Sequence, residues 1–272
     1  MIRGWDYKTF LTFFAIIPTI LILIYLLPEP IKTAYFSLDP KNLFIPSIYL
    51  SAFVHFDLGH LLGNLIPYLI IMFLILNFTT DRKQFKWNML SIYVDVPIIT
   101  SLAYLFILIL PLKSFGFSGI VSALIGLFLY TIYRYLRNRG FNLDFNFVWM
   151  ILLINFFLFS LYLDVVFLML AFIFVLTAVL IYLNKEFIRE MAGYLKNLGY
   201  IRRKSRELNM LEFEYYVFLI TLTVVFLFPF YIIVPLNPTQ GGSIVNSLSH
   251  YIGYIYGILA PVLVEKWKDE YN

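Results

Sequence analysis

The sequence contains no cysteine, and its charged residues are few. Without cysteine the chain has no disulfide, no thiol nucleophile and no cysteine-ligated metal. Lysine, arginine, aspartate and glutamate together make up only 13% of the 272 residues, whereas 61% are hydrophobic and 20% aromatic. The mean hydropathy is +0.85. Soluble globular domains do not have this composition, so we expect an integral membrane protein.

Histidine is scarce as well, with only His55, His60 and His250 in the whole chain. Three histidines and no cysteine give poor support to a metal site, and we expect neither a metal nor another cofactor. The net charge of +4 is explained by the distribution of basic loops in a membrane protein. A nucleic-acid partner is not expected.

Eight apolar runs are predicted to cross the ~30 Å hydrocarbon core of a bilayer. The chain is therefore predicted to be an all-α polytopic membrane protein, a helical bundle in which residues 1–272 form a single transmembrane domain. A basic segment at about 184–210 is its one clearly polar stretch, and part of it has the spacing of an amphipathic helix. The predicted spans are Phe10–Leu27, His60–Phe78, Asn88–Pro111, Ser118–Tyr133, Phe147–Leu163, Val165–Leu183, Tyr215–Pro235 and His250–Val264.

The basic residues predict the orientation of these spans. With the amino terminus inside, the outer segments contain only three of the 20 lysines and arginines, namely Lys32, Lys41 and Lys113. An excess of basic residues in the inner loops sets membrane topology, so both termini are predicted to be cytoplasmic. The spans that begin at His60, Ser118 and His250 then all enter from the outer face, which brings the three residues to a similar depth.

Gly116-Phe117-Ser118-Gly119 lies where a short polar loop enters the fourth apolar run. A serine between glycines at a helix start can be a close-packing feature with no chemistry. It can also be a nucleophile whose neighbours must be small, so that a substrate backbone can approach. The motif alone does not choose between the two.

The histidines fall in two further patterns, His55-x4-His60-x3-Asn64 and His250-x2-Gly253-x3-Gly257. Together with the glycine-flanked serine, and in this order, they resemble the rhomboid family of intramembrane serine proteases. The resemblance covers roughly residues 10–135 and 211–265. It implies a rhomboid-like helical bundle whose catalytic dyad is Ser118 and His250, with His60 and Asn64 at the oxyanion hole. It further implies structural support from His55, Gly116, Gly119, Gly253 and Gly257.

The side chains at these positions can perform the catalytic roles, but each can also have a purely structural role. His250 is the histidine that remains to act as a base for a serine, but it can also be a packed interfacial residue. His60 and Asn64 share one helical face and can both donate to an oxyanion, or they can merely tie two helices together.

Two rows of small residues are expected to face each other. Gly253 and Gly257 form a close-approach motif on the last span, and Ser118, Ser122 and Gly126 form a matching row on the fourth. Their contact is predicted to bring the serine within hydrogen-bond reach of the histidine.

Three features depart from the family pattern. Pro46-Ser47 stands near the place where many rhomboids have Trp-Arg, and Ser122 stands where many have a tyrosine. Three spans, rather than one, are predicted between the serine and histidine spans.

The resulting prediction is a serine-type endopeptidase that cleaves single-span membrane proteins near the outer leaflet, as a multi-pass protein of the cell membrane. One alternative is a catalytically inactive rhomboid-like protein that binds membrane helices, and another is a transporter. Asp95, inside the third span, is either functional or paired with a lysine or backbone group.

Overall fold

The computed structural model describes residues 5–108, 113–162, 167–204, 239–240, 243–244 and 247–271. Two strands of two residues each, β1 (Thr239–Gln240) and β2 (Ser243–Ile244), pair in antiparallel orientation. All other regular structure among the described residues is helical, which confirms the all-helical prediction for this part of the chain. The long helices are α1 Tyr7–Tyr25, α2 Leu58–Phe78, α3 Arg82–Ala103, α4 Ser118–Asn138, α5 Asn146–Tyr162, α6 Phe167–Leu183, α7 Lys185–Lys204 and α8 Ser247–Tyr271.

Three of these helices begin directly after an aspartate. The carboxylates of Asp6, Asp57 and Asp81 each accept a hydrogen bond from the backbone N–H three residues later, at 2.8, 2.6 and 3.0 Å. Such caps satisfy donors that the first helical turn leaves open. The cap at Asp81 explains why α3 begins at Arg82, earlier than the predicted Asn88.

The first loop, residues 28–57, contains short helical turns. A single α-helical turn, Glu29–Ile31, leads into a π-helical turn, Lys32–Phe36. Near the end of the loop, Ser47–Leu50 is α-helical and Ser51–Phe53 forms a 3-10 turn. These turns lead the chain back from the end of α1 to the start of α2.

Within the described residues, four helices, α1 to α4, are long and apolar enough to cross a membrane. Shorter apolar stretches lie within α5, α6 and α8, at Asn146–Asn155, Phe174–Leu183 and Leu248–Val264. The predicted span Tyr215–Pro235 lies outside the described residues. The number of spans therefore stays a prediction.

Two compact units make up the chain. The first consists of residues 1–131 and 232–272. Within it α3 packs along α8, and α4 contributes fully buried side chains such as Leu124 and Phe128. The second consists of residues 132–231, in which α5 packs on α6. There the Phe187 ring of α7 lies 5.1 Å from that of Phe147. The expected single domain stays a prediction.

Candidate active site

Ser118 is the first residue of α4, and His250 lies in the first turn of α8. The His250 Nε2 atom is 2.7 Å from the Ser118 Oγ atom, although the two residues are 132 positions apart. The histidine is only 6% exposed. The structure thus brings this pair together at the starts of two helices, in a geometry that allows the imidazole to take the hydroxyl proton.

Glycines allow α4 and α8 to come this close. A methyl group on Gly257 would lie 2.7 Å from the carbonyl carbon of Ala123 and 2.9 Å from its Cα atom. Gly253 lies similarly against the backbone of Gly119, and Gly126 lies against the backbone of α8. The two backbones are therefore in direct contact, as small residues permit between membrane helices.

The row of small residues on α4 differs from the predicted one. Gly119, Ala123 and Gly126 face α8, whereas the sequence suggested Ser118, Ser122 and Gly126. The hydroxyl of Ser122 is buried and has no hydrogen-bond partner among the described residues. Helical spacing identified the contact but missed the rotation of α4 by about one residue.

Gly116 shapes the turn that leads to the nucleophile candidate. Its φ angle is +123°, and a Cβ atom there would lie 2.8 Å from the Cε1 atom of His60. Its N–H group donates a 2.9 Å hydrogen bond to the carbonyl of Ser51. The positive φ angle and the adjacent imidazole ring both require glycine at this position.

The segment before Ser118 is attached to the first loop. Leu38 and Ser114 exchange two backbone hydrogen bonds, of 3.1 and 3.0 Å. An ion pair of 3.7 Å between Lys113 and Asp39 lies beside this bridge. The first loop therefore supports the turn that carries the serine.

His55, His60 and Asn64 form a cluster at the start of α2. The Nδ2 atom of Asn64 donates to the Nε2 atom of His55 at 3.2 Å and to the carbonyl of His60 at 2.9 Å. The two imidazole rings meet edge to face, with centroids 4.9 Å apart. Both hydrogens of the Asn64 amide are thus engaged within the cluster.

His55 is fully buried and stays neutral. Burial is the main cause that lowers its pKa to about 3, and the neighbouring His60 and Lys32 lower it further. A neutral ring can accept the hydrogen bond from Asn64, whereas an imidazolium has no acceptor. The buried, neutral ring of His55 therefore serves as the acceptor for one hydrogen of the Asn64 amide.

A small cleft of about 20 Å³, which is room enough for a water molecule, lies beside Gly116 and Gly119. Hydroxyl groups are prominent in its lining, and space with several polar partners holds water. The sequence does not single out these residues, because isolated serines and threonines form no motif. They are Ser51, Thr100, Ser101, Ser114 and Ser249.

Asp95 is paired with hydroxyl groups. Its Oδ2 atom accepts hydrogen bonds from Ser91, at 2.7 Å, and from Tyr256 of α8. The partners are thus side-chain hydroxyls, where the sequence suggested a lysine or a backbone group. The carboxylate joins α3 to the helix that carries His250.

The chain matches a known protein family. A family model, the Rhomboid domain, matches residues 45–195, which is more than half of the chain. The match includes the histidine–asparagine cluster and Ser118, and it ends before His250. No curated protein and no solved structure matches the chain. The extent of the family match, together with the apolar helices, identifies the chain as an integral membrane protein that belongs to the rhomboid family.

Proposed function

We propose that the protein is a serine endopeptidase that cleaves single-span membrane proteins within or just outside the outer leaflet. The 2.7 Å hydrogen bond between Ser118 and His250 carries this proposal. A serine hydroxyl is a weak nucleophile until a neighbouring base takes its proton, and the neutral imidazole is placed to do so. Membership of a family with this chemistry is the second support.

In the proposed reaction His250 Nε2 accepts the Ser118 proton while Oγ attacks the peptide carbonyl carbon. The carbonyl oxygen becomes an oxyanion in the tetrahedral intermediate. His250 then returns the proton to the leaving amine as the C–N bond breaks, which leaves an acyl ester on Ser118. A water molecule hydrolyses the ester by the same steps and regenerates the serine. The hydroxyl-lined cleft is the proposed source of this water.

His60, Asn64 and the Ser118 backbone N–H are proposed to stabilise the oxyanion. Loss of one such donor typically costs about 10²–10³ in rate. The two hydrogens of the Asn64 amide are bonded to His55 and to the His60 carbonyl. Direct help from Asn64 would require one of these bonds to be exchanged. We therefore expect His60→Ala to reduce kcat more than Asn64→Ala.

Substrates are proposed to be membrane helices that unwind easily near the outer surface. A helix hides its carbonyl groups, so an intramembrane nucleophile needs an extended segment. Cleavage of a model substrate should increase when glycine or proline is placed near the scissile bond. Equal cleavage of a leucine-rich helix would exclude local unwinding from the mechanism.

An eight-span, multi-pass topology in the cell membrane, with both termini cytoplasmic, is part of the proposal. Its support is the bias of basic residues, together with the requirement that Ser118 and His250 meet at one face. Because the chain has no cysteine, single cysteines can be introduced without background. A cysteine replacing Arg203 should be labelled only from inside, and one replacing Thr239 only from outside. Labelling of both from the same side contradicts the topology.

A fluorophosphonate probe tests the activity directly. The folded wild-type protein should be labelled covalently at Ser118 and should cleave a model single-span substrate. Ser118→Ala should do neither, and His250→Ala should be labelled far more slowly. A folded, monodisperse wild-type protein that stays unlabelled and does not cleave would support the inactive helix-binding alternative.

A further inference from the structure

We propose that Lys32 is a positioning residue that holds the His55 backbone in place and, through His55, keeps the oxyanion side of the site aligned. The inference rests on the proposed protease function and adds to it a residue that belongs to none of the three motifs. In the sequence Lys32 falls in a predicted outer loop, where a lysine is ordinarily exposed.

The environment of Lys32 is that of a bound cation. The residue is only 6% exposed. Its Nζ atom donates to the carbonyls of Tyr25 and His55, at 3.1 Å each. The aromatic rings of Tyr25 and Phe56 also contact the ammonium group, and the centroid of each ring lies 5.1 Å from Nζ. Lys32 forms no ion pair among the described residues.

A buried ammonium is costly unless its donors are satisfied. Here the compensation comes from two backbone carbonyls and from two aromatic faces, which attract cations. These contacts exist only when the end of α1, at Tyr25, and the end of the first loop, at His55, occupy their observed positions. Lys32 therefore stabilises one arrangement of the loop and disfavours others.

The contacts continue from Lys32 into the active site. The backbone carbonyl of His55 accepts a hydrogen bond from Lys32. The imidazole ring of His55 accepts a second hydrogen bond, from the Asn64 amide, with 3.2 Å between Nδ2 and Nε2. The same amide bonds the His60 carbonyl at 2.9 Å. The His60 ring in turn lies against Gly116, in the turn before the serine. Displacement of the His55 backbone would therefore displace Asn64 and His60 relative to the reacting bond.

Lys32 is itself a residue of the first loop, and its contacts reach the active site through His55. It acts at a distance from Ser118 and His250, so its loss should affect transition-state stabilisation and leave the dyad chemically intact.

The test compares Lys32→Met, which keeps the length and apolar body of the side chain, with Lys41→Met. Lys41 is an exposed lysine of the same loop, so its variant controls for loss of one positive charge. For Lys32→Met we expect kcat on a model single-span substrate to fall about tenfold to a hundredfold with KM within about threefold, because misplacement of catalytic groups by about 1 Å has effects of this size. Lys41→Met should behave as wild type.

Histidine NMR supplies a readout that does not depend on activity. The chain has only three histidines, so each imidazole signal can be assigned by single replacement. In Lys32→Met the His55 and His60 signals should shift or broaden, and the His250 signal should not. Wild-type histidine signals together with wild-type kcat in Lys32→Met would overturn the proposal.

A further variant covers a failure of Lys32→Met to fold. Lys32→Gln loses the charge but keeps an amide that can donate to one carbonyl. Its His55 and His60 signals should be displaced from wild type, and its kcat reduced; wild-type values for both would overturn the proposal. If no variant or wild-type protein cleaves substrate while the histidine signals still respond as expected, the protease assignment fails and the positioning role of Lys32 stands.

Discussion

Replacement of Gly257 by alanine tests whether backbone contact between α4 and α8 sets the geometry of the dyad. Gly257 carries no catalytic group and lies seven residues after His250 on the same helix. An added methyl group would lie 2.7 Å from the carbonyl carbon of Ala123 and 2.9 Å from its Cα atom, and nearer still to its carbonyl oxygen. All of these atoms belong to the backbone, so no side chain can rotate away. The helices themselves must separate.

The size of the effect follows from these distances. Ordinary non-bonded contacts lie near 3.5–4.0 Å, so α4 and α8 would have to move apart by roughly 1–2 Å. The 2.7 Å distance between Ser118 and His250 would then exceed hydrogen-bond range. Misplacement by about 1 Å can cost about 10² in rate, or about 2.7 kcal/mol of activation free energy. We expect Gly257→Ala to lose at least this much in kcat.

The assay is cleavage of a reconstituted single-span substrate, together with the rate of fluorophosphonate labelling at Ser118. Gly63→Ala is the matched control, because Gly63 lies in α2 and a Cβ atom there would meet nothing within 4 Å. Its activity should equal wild type, and its stability should be equal or slightly higher, since alanine is the better helix former. Wild-type rates in Gly257→Ala would refute the close-contact reasoning.

Three further predictions concern polar residues. Ser118→Ala and His250→Ala should each abolish turnover, and the double variant should be no worse, because a dyad acts as a unit; additive losses in kcat would contradict this. Since the pKa of His55 is about 3 in the folded protein, the unfolded chain takes up a proton there as the pH falls below about 6.5, and the melting midpoint should decrease between about pH 6.5 and 3. His55→Gln should reduce this acid sensitivity, and parallel melting profiles would refute the assignment. Asp95→Leu should lower the melting midpoint more than Asp95→Asn. Ser91 and Tyr256 lie within hydrogen-bond distance of each other, so without the carboxylate one hydroxyl can still donate to the other and one donor is left without an acceptor, at about 1–3 kcal/mol. Equal midpoints would show that the carboxylate contacts contribute little.

The sequence predicted local structure best where the local signal is strong. The apolar runs predicted α1 to α4, and the predicted starts of α1, α2 and α4 lie within about three residues of the observed ones. The start of α3 was the largest error among these four, because its first turns are polar and composition alone placed them in a loop. A hydropathy pattern marks the residues that lie in the hydrocarbon core. The helix itself begins at its capping residue, which can lie in a polar segment several residues earlier.

Within the candidate site, spacing predicted which helices meet but not their rotation. Gly253 and Gly257 do lie against α4, as their spacing indicated. The residues opposite them are Gly119 and Ala123, where the sequence favoured the row containing Ser118 and Ser122. A repeat of three or four residues defines a face only to within about one position, and backbone contact decides the rest.

The sequence by itself determined that this is a helical membrane protein with a serine and a histidine in family motifs, because hydropathy and motif spacing are local properties. Only the tertiary structure decided that Lys32 is buried against the His55 carbonyl and that Asp95 pairs with Tyr256. Both contacts join residues far apart in the chain. In each, hydroxyl groups or backbone carbonyls take the place of the water that would otherwise solvate the charged side chain. Neither hydropathy nor periodicity carries information about such partners, since the free energy of a buried charge depends on what the fold places beside it.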